Sequence, residues 1–434
     1  MTVRVIGAGL AGCEAANQIA KCGIAVELYE MKPKKYSPAH KNENFCELVC
    51  SNSLKAERIE NACGLLKAEM RLFDSVMMRA ADISKVPAGG ALAVDRDIFS
   101  KEATRIICEN PLIKVINEEF CKIDINVPTI IATGPLTSDA LLAEIVRLTK
   151  SQGLYFFDAA APIVAKDSID MDKVFYGARY GRGSDDYINC PMTKEEYEAF
   201  YDALVSAETV ALKDLEGAEV FEGCMPLEVM AKRGEMTLLF GPLKPVGLVN
   251  PKTGKDDSFA VVQLRQDNKS ASLYNLVGFQ TNLKWGEQKR VFSMIPGLES
   301  AEFVRYGVMH RNTYLDAPKV LNKYYQMREY PNIFFAGQIT GVEGYVESAS
   351  SGILAGLNMA NMLLNKPFFE PDSKTAIGSL PLYISDSRIK KLQPMNANFG
   401  IIESLPYKVK NKQERYKEIA DRALETLKCE LDKE

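Results

Sequence analysis

A chain of 434 residues has room for one large domain or two to three ordinary ones. Hydrophobic residues make up 47% of it and charged residues 25%, a balance that buries a sizeable core without covalent or metal staples. A net charge of −4 excludes a general polycation, so any contact with nucleic acid has to come from a local basic face.

Residues 3–6 predict a short buried strand, with nothing removable expected before it. Gly7-Ala8-Gly9-Leu10-Ala11-Gly12 follows, then a helix over 13–21 that Gly23 ends, then a strand over 25–29 with Glu30 at its tip, 18 residues beyond Gly12. This is a βαβ unit of the length the dinucleotide fingerprint requires. The glycines let the backbone approach a pyrophosphate, the helix N-terminus offers it free N–H groups, and Glu30 can accept from a ribose. Residues 37–55 read as irregular and polar, 64–78 and 97–109 as helices, and 86–91 as a loop. Residues 129–132 form a buried strand that ends in Thr133-Gly134, a small turn suited to a cofactor.

Residues 186–324 change character, mixing Pro, Gly, Lys and short strands. A buried strand returns at 333–336 and runs through Gly337, Gln338, Gly341 and Gly344 into a Ser/Ala/Gly-rich helix that contains Gly352. Gly337, Gln338, Gly341 and Gly352 are the candidates for a second approach to the cofactor, an arrangement that favours FAD over NAD. The expected fold is α/β: a Rossmann-type, glutathione-reductase-like FAD-binding domain (1–185 and 325–434, with a charged helical tail) interrupted by a smaller mixed α+β insertion (186–324). No second G-x-G-x-x-G is present, so NAD(P)H is expected to dock only transiently. No apolar run approaches the roughly 20 residues of a membrane helix.

The ten cysteines show no C-x-x-C pair or Cys/His metal spacing. That argues against a metal site and for a reduced, cytoplasmic setting. Cys50 and Cys224 each lie just before an expected helix, where the positive helix end favours thiolate. Both also read as inert small hydrophobes, and exposure decides between the two. His310, in polar and aromatic company, reads either as a ligand contact or as a structural residue. From Ala231 to Tyr330 there are 15 Lys and Arg against 9 Asp and Glu, a net +6 inside a chain of −4. Lys232, Arg233, Lys284, Lys289 and Arg290 are the candidate RNA contacts, with Trp285, Phe292, Tyr306, Tyr314, Tyr324 and Tyr325 as rings for unpaired bases. An ordinary solvated face with core aromatics is the alternative.

Seven stretches carry a resemblance: VIGAGLAGCEAA from Val5, ELVCSNSLKAE from Glu47, VPAGGALAVDRD from Val86, FEGCMPLEVMAKRG from Phe221, FGPLKPVGL from Phe240, YGVMHRNTYL from Tyr306 and FFAGQITGVEGYVES from Phe334. Across nearly the whole chain it resembles the folate- and FAD-dependent tRNA uracil-5 methyltransferases. The resemblance implies methylenetetrahydrofolate as carbon donor, FAD reduced by NAD(P)H, and tRNA as substrate. It implies Cys224 as the nucleophile at uracil C6, Cys50 as the base at C5, and His310 and Tyr345 beside the folate. A ribosomal RNA uridine is the first alternative target, and a small-molecule flavin oxidoreductase is the alternative of another class. The chain departs from the family at Cys46, where a small Ala is usual. Cys46 lies four residues before Cys50, so one helical turn would bring the two thiols together.

Overall fold

Five short parallel strands form the first sheet, in the order Ile333–Phe335, Thr129–Ile131, Thr2–Ile6, Ala25–Tyr29, Ile113–Ile116. This computed structural model describes residues 2–150, 154–181, 185–210, 219–220, 225–370 and 372–432, with backbone alone at 154–158, 219–220, 310 and 311. Val3, Val5, Ile6, Ile130, Ile131, Phe334 and Phe335 are all buried, as expected of parallel strands covered on both faces. The helix Leu10–Lys21 starts inside the glycine motif, three residues earlier than the apolar pattern predicts. It lies against the late helix Tyr345–Leu363. A Cβ on Gly352 would come within 2.1 Å of the Ala11 carbonyl oxygen, and one on Gly356 within 2.6 Å of that of Ala15. The two helices therefore meet backbone to backbone.

The region expected as one helix over 64–78 is two, Ala62–Leu72 and Val76–Ser84. Asp74 takes a left-handed φ of 56° at the break, and the Ser75 hydroxyl accepts the Met78 N–H at 3.2 Å to cap the second. Helical periodicity continues across such a corner, so it gives no sign of the turn.

The chain leaves this core along Leu154–Ala159 and returns along Met309–Tyr314, two strands paired antiparallel with Met309 opposite Ala159. Between them lies a six-stranded antiparallel sheet: Phe175–Tyr176, Tyr187–Met192, Ala260–Gln266, Leu273–Leu276, Ile163–Ala165, Phe303–Arg305. Helices Lys194–Val205 and Trp285–Phe292 pack on it, burying Tyr197, Phe200 and Phe292 with Val262, Leu264 and Leu276 in a second core. Ile169 and Val174, expected before the insertion, belong to this second core, whereas Leu315 to Leu321, expected within it, pack in the first. The excursion is bounded by a strand pair, not by the compositional change at 186. Among the described residues no helix is long and apolar enough to cross a membrane.

Candidate active site

A cleft opens at the C-terminal ends of the parallel strands, where α/β sheets bind ligands. Gly7 to Ala11, Glu30, Met31, Lys32, Thr133, Gly134, Gly337 and Gln338 line it. Glu30 accepts the Ala8 N–H at 2.9 Å on one carboxylate oxygen and the Lys32 N–H at 3.0 Å on the other. Each oxygen keeps a second lone pair for a ribose hydroxyl. A Cβ on Gly9 would meet no protein atom within 4 Å, whereas one on Gly12 would come within 1.8 Å of the Gly7 carbonyl oxygen. Gly9 thus leaves room in the cleft, and Gly12 closes the turn beneath it. Gly12, Gly341 and Gly352 stand behind this lining: Gly341 backs onto Leu392 and Gly352 onto the phosphate-loop helix. Glycine helices, acid and a largely apolar wall fit an extended dinucleotide.

The cleft continues past Val49, Pro135, Leu136, Gln338 and Tyr345 into a second chamber, where Cys50, Lys55, Ala159, Ala160, Gln280, Asn312 and Glu343 line the wall. Cys50 is half-buried, and its thiol faces the Ala159 carbonyl at 3.6 Å. The residues around it are tied down from three directions. The Tyr345 hydroxyl accepts the N–H groups of Cys50 and Ser51 at 2.7 and 3.3 Å. Arg96 donates to the carbonyls of Leu48 and Cys50 at 2.8 and 3.4 Å and to Asp267 at 3.1 Å. Arg305 donates to the Val49 carbonyl, and Arg265 to Ser51 Oγ and Asn52 Oδ1 at 2.8 and 3.1 Å. Asn52 in turn bonds the carbonyls of Val94 and Gln266. The polar stretch that reads as irregular is therefore a clamped loop, held by arginines from both cores. Burial pushes the Tyr345 phenol well above its usual range, with Cys50 adding to the shift. Burial lowers the Arg305 guanidinium, and the nearby Arg96 adds to that.

Lys55, on the same wall, pairs with the buried Glu347 at 3.0 Å. Gly344 passes between them: its φ is +116°, and a Cβ there would approach Glu347 Oε2 to 2.3 Å. Only glycine fits both constraints. Arg265 and Arg305 were missed in the sequence because they lie 215 and 255 residues from Cys50 and carry no local motif, and Arg96, 46 residues away within VPAGGALAVDRD, gives no sign there of a bond to the Cys50 loop. The only trace of Arg265 and Arg305 is the net charge of residues 231–330, which cannot tell a buried guanidinium from an exposed one.

Cys224 lies outside the described residues, as does the His310 side chain. The chain re-emerges at Met225, and the Leu227 N–H donates to the carbonyl of Gln280, a wall residue of the Cys50 chamber, at 2.7 Å. Lys232 and Arg233 are exposed just beyond the short helix Leu227–Ala231. Lys284 and Arg290 are exposed but paired, with Glu208 at 2.5 Å and Glu287 at 2.6 Å, while exposed Lys289 enters neither pair. Cys46 does not turn toward Cys50, because residues 46–50 form no helix. It adopts a φ of 54° and donates its N–H to the Ala8 carbonyl at 3.1 Å, the same oxygen the Cys13 thiol reaches at 3.4 Å. Cys46 and Cys13 thus face each other under the phosphate loop, where burial raises the Cys13 thiol and its bond to Cys46 raises it further. Among the described residues no group of three or more His, Cys, Asp or Glu is placed to hold a metal.

The central parallel sheet, its glycine turn and the second helix brought to the same cleft define a Rossmann-type FAD flavoprotein carrying an antiparallel second unit. The family described as glucose inhibited division protein A matches residues 2–367. The methylenetetrahydrofolate--tRNA-(uracil-5-)-methyltransferase TrmFO of Acetivibrio thermocellus is 62% identical over 426 residues, 98% of each chain. That of Bacillus subtilis is 58% identical over 426 residues, again 98% of each. GidA of Aquifex aeolicus superposes with a TM-score of 0.68 at 15% identity, over 100% of this chain and 75% of that one, a shared fold. This chain belongs to the TrmFO methyltransferases within the glucose inhibited division protein A family.

Proposed function

We propose that this protein forms 5-methyluridine in the T-loop of tRNA, with methylenetetrahydrofolate as carbon donor and NAD(P)H as reductant, in the cytoplasm. The observation that carries the reading is the continuity of the dinucleotide cleft with the Cys50 chamber, in a chain whose relatives over 98% of its length are named methylenetetrahydrofolate--tRNA-(uracil-5-)-methyltransferases. FAD, when bound, supplies the reducing equivalents. Uracil C5 is a poor nucleophile until C6 is saturated. The Cys224 thiolate adds to C6, which places an electron pair on C5 for bond formation to the one-carbon unit. Cys50 then removes the proton from C5, the carrier leaves the one-carbon unit, and a hydride equivalent, which FAD would supply, reduces that carbon to methyl as the Cys224 sulfur leaves C6 and the ring is restored. Tyr345 sits where the two chambers join, and with His310 it faces the folate. The antiparallel unit, with Lys232, Arg233, Lys284, Lys289 and Arg290 on or near its surface, faces the RNA.

An RNA with 5-fluorouridine at the target blocks proton loss from C5. In the presence of folate donor and NADPH it should trap the wild-type enzyme covalently and fail to trap Cys224→Ala. Trapping of Cys224→Ala, with none of Cys50→Ala, would reverse the two roles. Cys224→Ala should keep its flavin and its RNA affinity while losing methyl transfer by orders of magnitude.

A further inference from the structure

Six rings of the second half of the chain are candidates to meet RNA bases, and burial removes three of them. Phe292, Tyr314 and Tyr325 are core residues. Trp285 is 61% exposed and stacks on Tyr306 with centroids 5.7 Å apart and planes 13° from parallel. Tyr306 stacks in turn on Phe303 at 5.6 Å and 12°, and Phe303 leans on the buried Phe292. Three parallel rings therefore run from the second core to solvent and end on the outer face of Trp285.

This ladder is rigid and close to the chemistry. The buried Gln288 donates to the carbonyls of Leu283 and Gly307 and accepts the Gly307 N–H at 2.8 Å, which fastens the helix Trp285–Phe292 to the turn that holds Tyr306. The next residue, Val308, accepts the N–H of Ala160, a wall residue of the Cys50 chamber. Described residues on either side of Cys224 are tied to the segment leading into Trp285: Val210 donates to the Asn282 carbonyl, and Leu227 to that of Gln280. The charge nearby suits a nucleotide. The exposed helix surface carries Lys284, Lys289 and Arg290 against Glu287, with Glu208 opposite Lys284.

We propose that Trp285 is a stacking platform for an unpaired base of the substrate RNA, a neighbour of the target uridine, and that Tyr306 backs it. The proposal rests on the reading that RNA is the substrate. The flat face with a residual positive charge takes any base, so the platform holds the strand in place and leaves sequence choice to other contacts.

Trp285 is the only tryptophan of the chain, so its emission reports directly on the platform. Titrating the holoenzyme with unmodified substrate tRNA should quench that emission saturably, with the midpoint of an independent filter-retention curve. Trp285→Ala should weaken retention about 5- to 100-fold, and Trp285→Phe should recover most of it. Retention of tRNA with unchanged emission and an unaffected Trp285→Ala would overturn the platform and leave the RNA reading standing. Absence of any retention would overturn both. Emission that instead changes with protein concentration alone would assign the face to a second copy of this chain.

Discussion

Gly9 and Gly12 sit in one loop and hold opposite constraints. At Gly9 the φ is −77° and an added Cβ meets no protein atom within 4 Å, so Gly9→Val should fold normally. Its side chain would occupy the path of the pyrophosphate, and the protein should purify colourless; yellow protein with stoichiometric flavin would contradict the cofactor site. Gly12→Ala instead puts a methyl 1.8 Å from the Gly7 oxygen and should lower stability itself. Arg96 makes the parallel case beside Cys50. One ammonium cannot reproduce a planar fork that reaches Leu48, Cys50 and Asp267 together. Arg96→Lys should keep the flavin and slow methyl transfer about 10- to 100-fold through kcat, because a small misplacement of a reacting group costs on that order. An unchanged kcat would show that the clamp is not needed to place Cys50.

At the scale of elements, two buried carboxylates cap helices that lie far away in sequence. Glu14, in the phosphate-loop helix, accepts the Met77 N–H at 2.9 Å and the Val76 N–H at 3.2 Å. Glu69 accepts those of Ala376 and Ile377 at 2.9 and 2.7 Å. Both satisfy N–H groups that a helix start leaves unpaired. Burial nevertheless outweighs these bonds and raises Glu14 from 4.5 to about 7 and Glu69 from 4.5 to about 8. The folded state therefore keeps protons that the unfolded chain releases. Their contribution is full below pH 4.5 and is lost as the pH rises through about 7 and about 8. Glu69→Gln should flatten the upper part of this decline in thermal midpoint, and a variant with the wild-type slope there would contradict the assignment. The local elements were legible because each is a short-range pattern: strand, glycine turn, helix and acid over residues 3–30, and the strand–glycine–helix at 333–364. The caps and the clamp were not, because they join residues from 46 to 308 positions apart.

On the scale of the whole molecule, residues of both units line the Cys50 chamber beside the strand pair Leu154–Ala159 and Met309–Tyr314. The net charge of the second half points to RNA, yet part of it is engaged within the protein: Arg265 and Arg305 hold the Cys50 loop, and the exposed Lys284 and Arg290 are paired with acids. The salt dependence of tRNA binding should therefore be gentler than the charge count suggests. Lys289→Ala should lower the slope of log affinity against log salt by about 1 if it meets a phosphate. Affinity indifferent to both salt and Lys289 would place the RNA on another face. The most direct test of the account as a whole is the fate of the donor carbon. The holoenzyme, NADPH and methylenetetrahydrofolate labelled in its one-carbon unit should be incubated with unmodified tRNA and, separately, with ribosomal RNA. Label recovered as 5-methyluridine in the T-loop of the tRNA is the predicted result. Label found only in ribosomal RNA would move the target, and its absence from both RNAs would contradict the methyltransferase reading.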